Sequence, residues 1–216
     1  MNPMRGTLIG RFLLLTIAAL IVLLPLWYWA APWLARPPVW IAGSAMQALF
    51  GWVKSFDIQE IHAILFTLVQ TRMRGPAGDV LVQLASRVDY RVFGYGLPLL
   101  WAMLLASRPR LWWLKGAAGS LMLFVAQALG IASQWMMDVV VTSGPTGSAY
   151  LAYPRWVANA ILYSRQFNLL MLTPMLPVLL WLLFNKPFVA ALWLEAALDE
   201  SPEGRARAPT IDAGNS

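Results

Sequence analysis

Residues 116–141, GAAGSLMLFVAQALGIASQWMMDVVV, decide how the rest of the chain is read. The stretch carries no charge before Asp138. At about 1.5 Å per helical residue it is long enough to cross a bilayer whose apolar core is about 30 Å thick. Yet Ser120, Gln127, Gln134 and Asp138 recur at intervals of seven, seven and four residues. A helix turns about 100° per residue, so these four side chains fall on one side. Polar groups in lipid need partners. The pattern predicts an inner helix of a bundle, its polar stripe turned toward neighbouring elements.

The whole chain agrees with a membrane setting. Of 216 residues, 59% are hydrophobic and 12% charged, about half the charged share of an average soluble domain. Mean hydropathy is +0.61, and the 12 Trp suit interfacial aromatic belts. The formal charge of +6 is spread singly at the ends of apolar runs. Such cations act as topology signals and as contacts to anionic head groups of membrane lipids, and they do not form a nucleic-acid surface. There is no Cys, which excludes disulfides, thiolate metal sites and a cysteine nucleophile together.

Working outward, Arg5 and Arg11 precede the apolar run 12–31, which is longer than the apolar core of a signal peptide and is read as an uncleaved first span. Pro25 bends it, and Trp27, Trp29 and Trp33 mark its outer end. Pro37 and Pro38 then open a helix over 38–53. That helix is expected to lie on the outer leaflet, because a crossing would turn the basic loop near Arg108 outward. Residues 56–91 form a small outer cap. Val80, Val82, Leu84, Val88 and Tyr90 alternate with polar residues as a half-buried strand does. The earlier part, around Ile61–Val69, fits a strand or a helix begun at Asp57 equally well, and RGPAGD (74–79) between the two is turn material.

A second span is expected over 92–107. The basic turn RPRLWWLK (108–115) follows, then the third span over 116–138 and an outer loop, TSGPTGSAYLAYP (142–154). The last span covers 160–184, and 188–198 continues it at the interface. The polar remainder, 199–216, is expected to be a disordered cytoplasmic tail. The fold class is thus mainly α: a polytopic four-helix transmembrane bundle with an interfacial helix, a hairpin-like outer cap and both termini cytoplasmic.

Counting along the helices puts Asp138 roughly 33 Å from Gly116 and Arg165 roughly 29 Å from Phe184. The two reach similar depth, so they are expected to pair, with Gln134 and Asn168 completing the hydrogen bonds and Gln127 continuing the cluster inward. This is structural glue in one reading and a polar pocket open to the outer face in another. His62 with Asp57 and Glu60 falls short of a zinc site. No serine has a histidine placed to activate it, and no phosphate-binding loop is present, so no cofactor is expected. Gly116, Gly119, Ala126, Gly130 and Ser133 allow close backbone approach, within the chain or toward a partner.

The layout of a lone first span, an outer β-like segment, FGYGLPLLWAMLLAS (93–107), a basic turn and a final NLLMLTPMLPVLLWLLF (168–184) resembles the exosortase H-associated membrane proteins. The resemblance implies an accessory protein beside an exosortase-like enzyme in a bacterial inner membrane. Exosortases are transpeptidase-like and use a Cys with Arg and His. With no Cys here, none of those roles transfers to any position. The expected function is therefore a non-enzymatic accessory factor for protein sorting or processing. The rivals are an enzyme acting on a lipid-linked substrate through Asp138 and Arg165, and a small transporter. No inverted repeat supports the transporter.

Overall fold

The computed structural model describes residues 8–75 and 78–199 and is mainly helical. In chain order the elements are α1 (Leu8–Leu34), α2 (Arg36–Leu49), the strands β1 (Val53–Gln59), β2 (His62–Gly75) and β3 (Gly78–Asp89), then α3 (Arg91–Gly94) and α4 (Gly96–Ser107). The long α5 (Trp112–Thr142) follows, then α6 (Gly144–Leu151) and α7 (Arg155–Phe167). A π-helical turn at Asn168–Leu172 leads into α8 (Thr173–Phe184), and α9 (Lys186–Asp199) closes the series. The expected tail beyond Asp199 lies outside the described residues.

Among the described residues, three helical runs are long and apolar enough to cross a membrane: Leu8–Leu49, Trp112–Val141 and Arg155–Phe184. The helical run at the expected second span (92–107), Arg91–Ser107, is shorter and is interrupted at Tyr95. It rises only about 26 Å at 1.5 Å per residue, against an apolar layer of about 30 Å. Of the four spans expected from the sequence, three correspond to long apolar helices, and the helix at the fourth falls short of the length of a crossing.

α2 follows α1 after a single turn residue, Ala35. Bonds from Ala35 N to Ala31 O and from Val39 N to Ala35 O carry the ladder across the break, where Pro37 and Pro38 have no N–H to give. The interfacial helix expected over 38–53 therefore starts earlier, ends at Leu49 and is a direct extension of the first span. It buries Val39, Ala42, Gly43 and Met46 against α5 and β1. Gly43 lies flush on the Phe56 ring, where any Cβ would collide.

The cap is a three-stranded antiparallel sheet in the order β1-β2-β3. The stretch that fits strand or helix equally from sequence is strand, because β2 has a partner on each side: Phe56 pairs Leu65 on one edge and Ala63 pairs Val88 on the other. A tight turn with Glu60 at φ 56° joins β1 to β2. Ala63, Leu65, Thr67 and Val69 point inward and are buried, whereas Phe66 and Leu68 are exposed. Of the expected turn RGPAGD, Pro76 and Ala77 lie outside the described residues. The expected outer loop 142–154 is largely the helix α6, which packs on β2.

α5 connects two cores. Toward its start, Leu123 joins Leu97, Leu100, Met103 and Leu104 of α4 with Leu180 and Trp181 of α8. Toward its end, Ala128, Ile131, Trp135 and Val139 are buried with α2, the sheet and Phe93. Thirty-one residues rise about 46 Å, more than a bilayer core needs. The surplus serves as the hub around which α2 and the sheet fold. Gly116, Gly119 and Gly130 take up Trp101, Leu100 and Phe93, whose atoms lie 2.6, 2.6 and 2.5 Å from where a Cβ would stand. These small residues are thus used inside the chain. α1 is different: Leu13, Leu14, Ile17, Ile21 and Val22 are exposed along its length.

Candidate functional site

The polar stripe of α5 meets a different element at each step. Ser120 accepts from Trp101 Nε1 of α4 at 3.0 Å and returns its own proton to Gly116 O at 2.7 Å. Gln127 is 3% exposed and accepts from Tyr90 Oη at 3.2 Å. Its Nε2 is buried without a partner among the described residues. Gln134 donates to Asp138 Oδ1 at 2.7 Å and accepts from Arg165 Nε of α7 at 2.6 Å. Asp138 Oδ2 accepts from Ser86 Oγ of β3 at 2.6 Å.

Asp138 and Arg165, expected to pair directly, are joined through Gln134. Among the described residues the ion pair is Arg91–Asp89, at 2.7 Å. The reason is lateral, since depth alone does not set azimuth. An amide that donates on one side and accepts on the other can span the gap between a carboxylate and a guanidinium. Asn168 does not complete this network. It is buried at the start of the π-helical turn, its carbonyl accepts from Thr173 Oγ1 at 2.8 Å, and its side-chain oxygen abuts Gly130.

The π turn has a local origin. Thr173 N bonds back to Asn168 O, and Pro174 beside it has no N–H, so the ladder widens by one residue instead of breaking. Ser86 was not foreseen as a partner. It lies on the inward face of β3 between Leu84 and Val88, and it is 4% exposed. A serine inside an otherwise apolar strand face is the signal that could have found it.

A second polar junction ties the sheet to α1. Arg91 donates to Asp89 from Nε and Nη2, and its Nη1 reaches Tyr28 Oη at 2.6 Å with the guanidinium 5.1 Å from the Tyr28 ring centroid. Burial pushes the Asp89 carboxyl up, but the hydrogen bonds and charge of Arg91 outweigh this and hold it below the usual carboxylate value. The pair therefore contributes fully above the unfolded value of 3.8, and the contribution is lost as pH falls through the lower folded value. Asp89→Asn should cost at most about 1 kcal/mol at neutral pH, because both side chains are partly exposed. Its stability deficit should shrink and vanish as pH falls below 3.8 through the lower folded value. A gap that persists in acid would show that Asp89 acts by packing.

Among the described residues no group of three or more His, Asp or Glu side chains comes together to hold a metal. His62 heads β2 opposite Gln59 and Asp89.

The fold and its polar contacts define a class: a helical membrane protein whose longest helix carries a small antiparallel sheet, joined to it by side-chain hydrogen bonds. Within that class, the family model described as exosortase H-associated membrane protein matches residues 6–188, and the chain belongs to that family. No curated protein and no solved structure matches the chain.

Proposed function

We propose that this protein is a non-enzymatic accessory component of the bacterial inner membrane that supports an exosortase-type protein sorting or processing system. Family membership is the observation that carries this reading. In it, α3–α4 forms a short fourth crossing and both termini lie in the cytoplasm. Two features support an accessory role. The carboxylate oxygens of Asp138 both accept hydrogen bonds from the protein's own groups, Gln134 and Ser86, which suits a structural clasp better than an acid or base awaiting substrate. The exposed apolar flank of α1 offers a surface to a partner's span, whereas the glycines of α5 are already occupied.

Mild detergent extraction of the tagged protein from its native host, followed by identification of the proteins retained, tests this. A stoichiometric complex with an exosortase-like membrane enzyme is expected. Leu14→Arg or Ile21→Arg, on the exposed flank of α1, should weaken it at least tenfold while the protein stays folded. A lone protein that turns over a lipid-linked substrate, with turnover abolished by Asp138→Asn, would replace this reading with an enzymatic one.

A further inference from the structure

A cleft of about 620 Å³ opens between the first turns of α1 and the last turn of α4, with Phe188 of α9 at its side. Its volume falls within the range of roughly 300–1,000 Å³ typical of small-ligand clefts. Leu15 and Leu105 give it an apolar lining. Phe12, stacked on Trp181 at 4.9 Å and against Phe188 at 5.3 Å, gives it a rigid wall. Two guanidinium groups, Arg11 and Arg108, complete the lining. Both residues are exposed, and neither guanidinium makes a hydrogen bond or ion pair with another described residue. Among the described residues that line the cleft, none is acidic. Arg108 stands in the left-handed conformation that ends α4, at φ 39°. Chain direction reverses there, so the two cations come from different elements at one end of the bundle.

We propose that this cleft is a binding site for one anionic glycerophospholipid. Its phosphodiester sits on Arg11 and Arg108, and one acyl chain lies along Leu15 and Leu105. The chemistry is complementary part by part. Arg is the side chain best suited to phosphate oxygens, through its planar fork of donors. An apolar trough beneath paired cations fits a molecule that is anionic at one end and hydrocarbon below. The adjoining turn, with Arg110, Trp112 and Trp113, has the composition of a head-group layer, so such a lipid reaches the cleft by sliding within its leaflet. The site does not depend on which partner or client the protein serves.

The test uses full-length protein, delipidated in detergent and titrated with phosphatidylglycerol or phosphatidylcholine of identical chains, with bound lipid counted by native mass spectrometry. One phosphatidylglycerol should be retained at least tenfold more tightly than phosphatidylcholine. The double variant Arg11→Gln/Arg108→Gln should lose that preference. Arg110→Gln, exposed in the same turn but outside the cleft, should keep it. Ala19→Trp, which fills the cleft without touching either charge, should lower the retention of phosphatidylglycerol at least tenfold. Thermal unfolding of each variant separates loss of binding from loss of fold. Equal retention of the two lipids by the wild type would overturn the proposal. So would a preference that survives the double variant or is lost equally in Arg110→Gln, unimpaired binding in Ala19→Trp, or displacement of the lipid by excess inorganic phosphate.

Discussion

Trp135→Ala is expected to destabilise the protein by about 4 kcal/mol, within the range measured for emptying a buried aromatic site. Trp135 is 0% exposed and sits on the C-terminal half of α5, where the helix has become the core of the cap. Its ring fills the space beside Ile131 and Val139, and its Nε1 donates to Ala63 O of the central strand at 3.3 Å. Truncation removes the ring and its hydrogen bond to Ala63 O and leaves a cavity under β2. The loss should be local before it is global. Limited proteolysis should cut within residues 53–89 at denaturant concentrations that leave helical circular dichroism unchanged. A cost below about 1 kcal/mol, with the sheet as resistant as in the wild type, would show that α5 does not hold the cap.

Gln134→Leu is expected to cost about 3 kcal/mol, since each of its two hydrogen bonds reaches a charged group, worth roughly 1.5–3 kcal/mol when lost. The substitution keeps approximate volume and removes both the donor to Asp138 and the acceptor of Arg165. Its diagnostic feature is the coupling it erases. In the wild type, Asp138→Ala and Arg165→Ala should be non-additive by about 1 kcal/mol, because each frees Gln134 to reorient. In the Gln134→Leu background the same two changes should simply add. Coupling of equal size in both backgrounds would mean that carboxylate and guanidinium act on each other directly, and the amide relay would have to be abandoned.

Much of this arrangement was legible in the chain. A helix carrying Ser120, Gln127, Gln134 and Asp138 on one side had to find polar neighbours, and it did so. Alternation in 80–90 gave a strand, because period-two burial depends only on local side-chain order. What stayed hidden concerned contacts between distant segments. The stretch 61–69 could be strand or helix until β1 and β3 supplied hydrogen-bonding partners. The loop-like 142–154 became α6 because β2 offered it a surface to pack on, a tertiary gain that outweighs its weak helical composition. Ser86 as the second partner of Asp138 needed β3 laid against α5.

By itself, the order of residues determined that this is a membrane protein with apolar spans, a basic turn and a small β cap, because hydropathy and periodicity are summed over neighbours in the chain. Only the tertiary structure decided that Gln134 stands between Asp138 and Arg165, that α2 continues α1, and that Arg11 and Arg108 share one cleft. Those relations depend on the rotation and lateral position of packed elements, which side-chain shape sets and linear spacing does not encode.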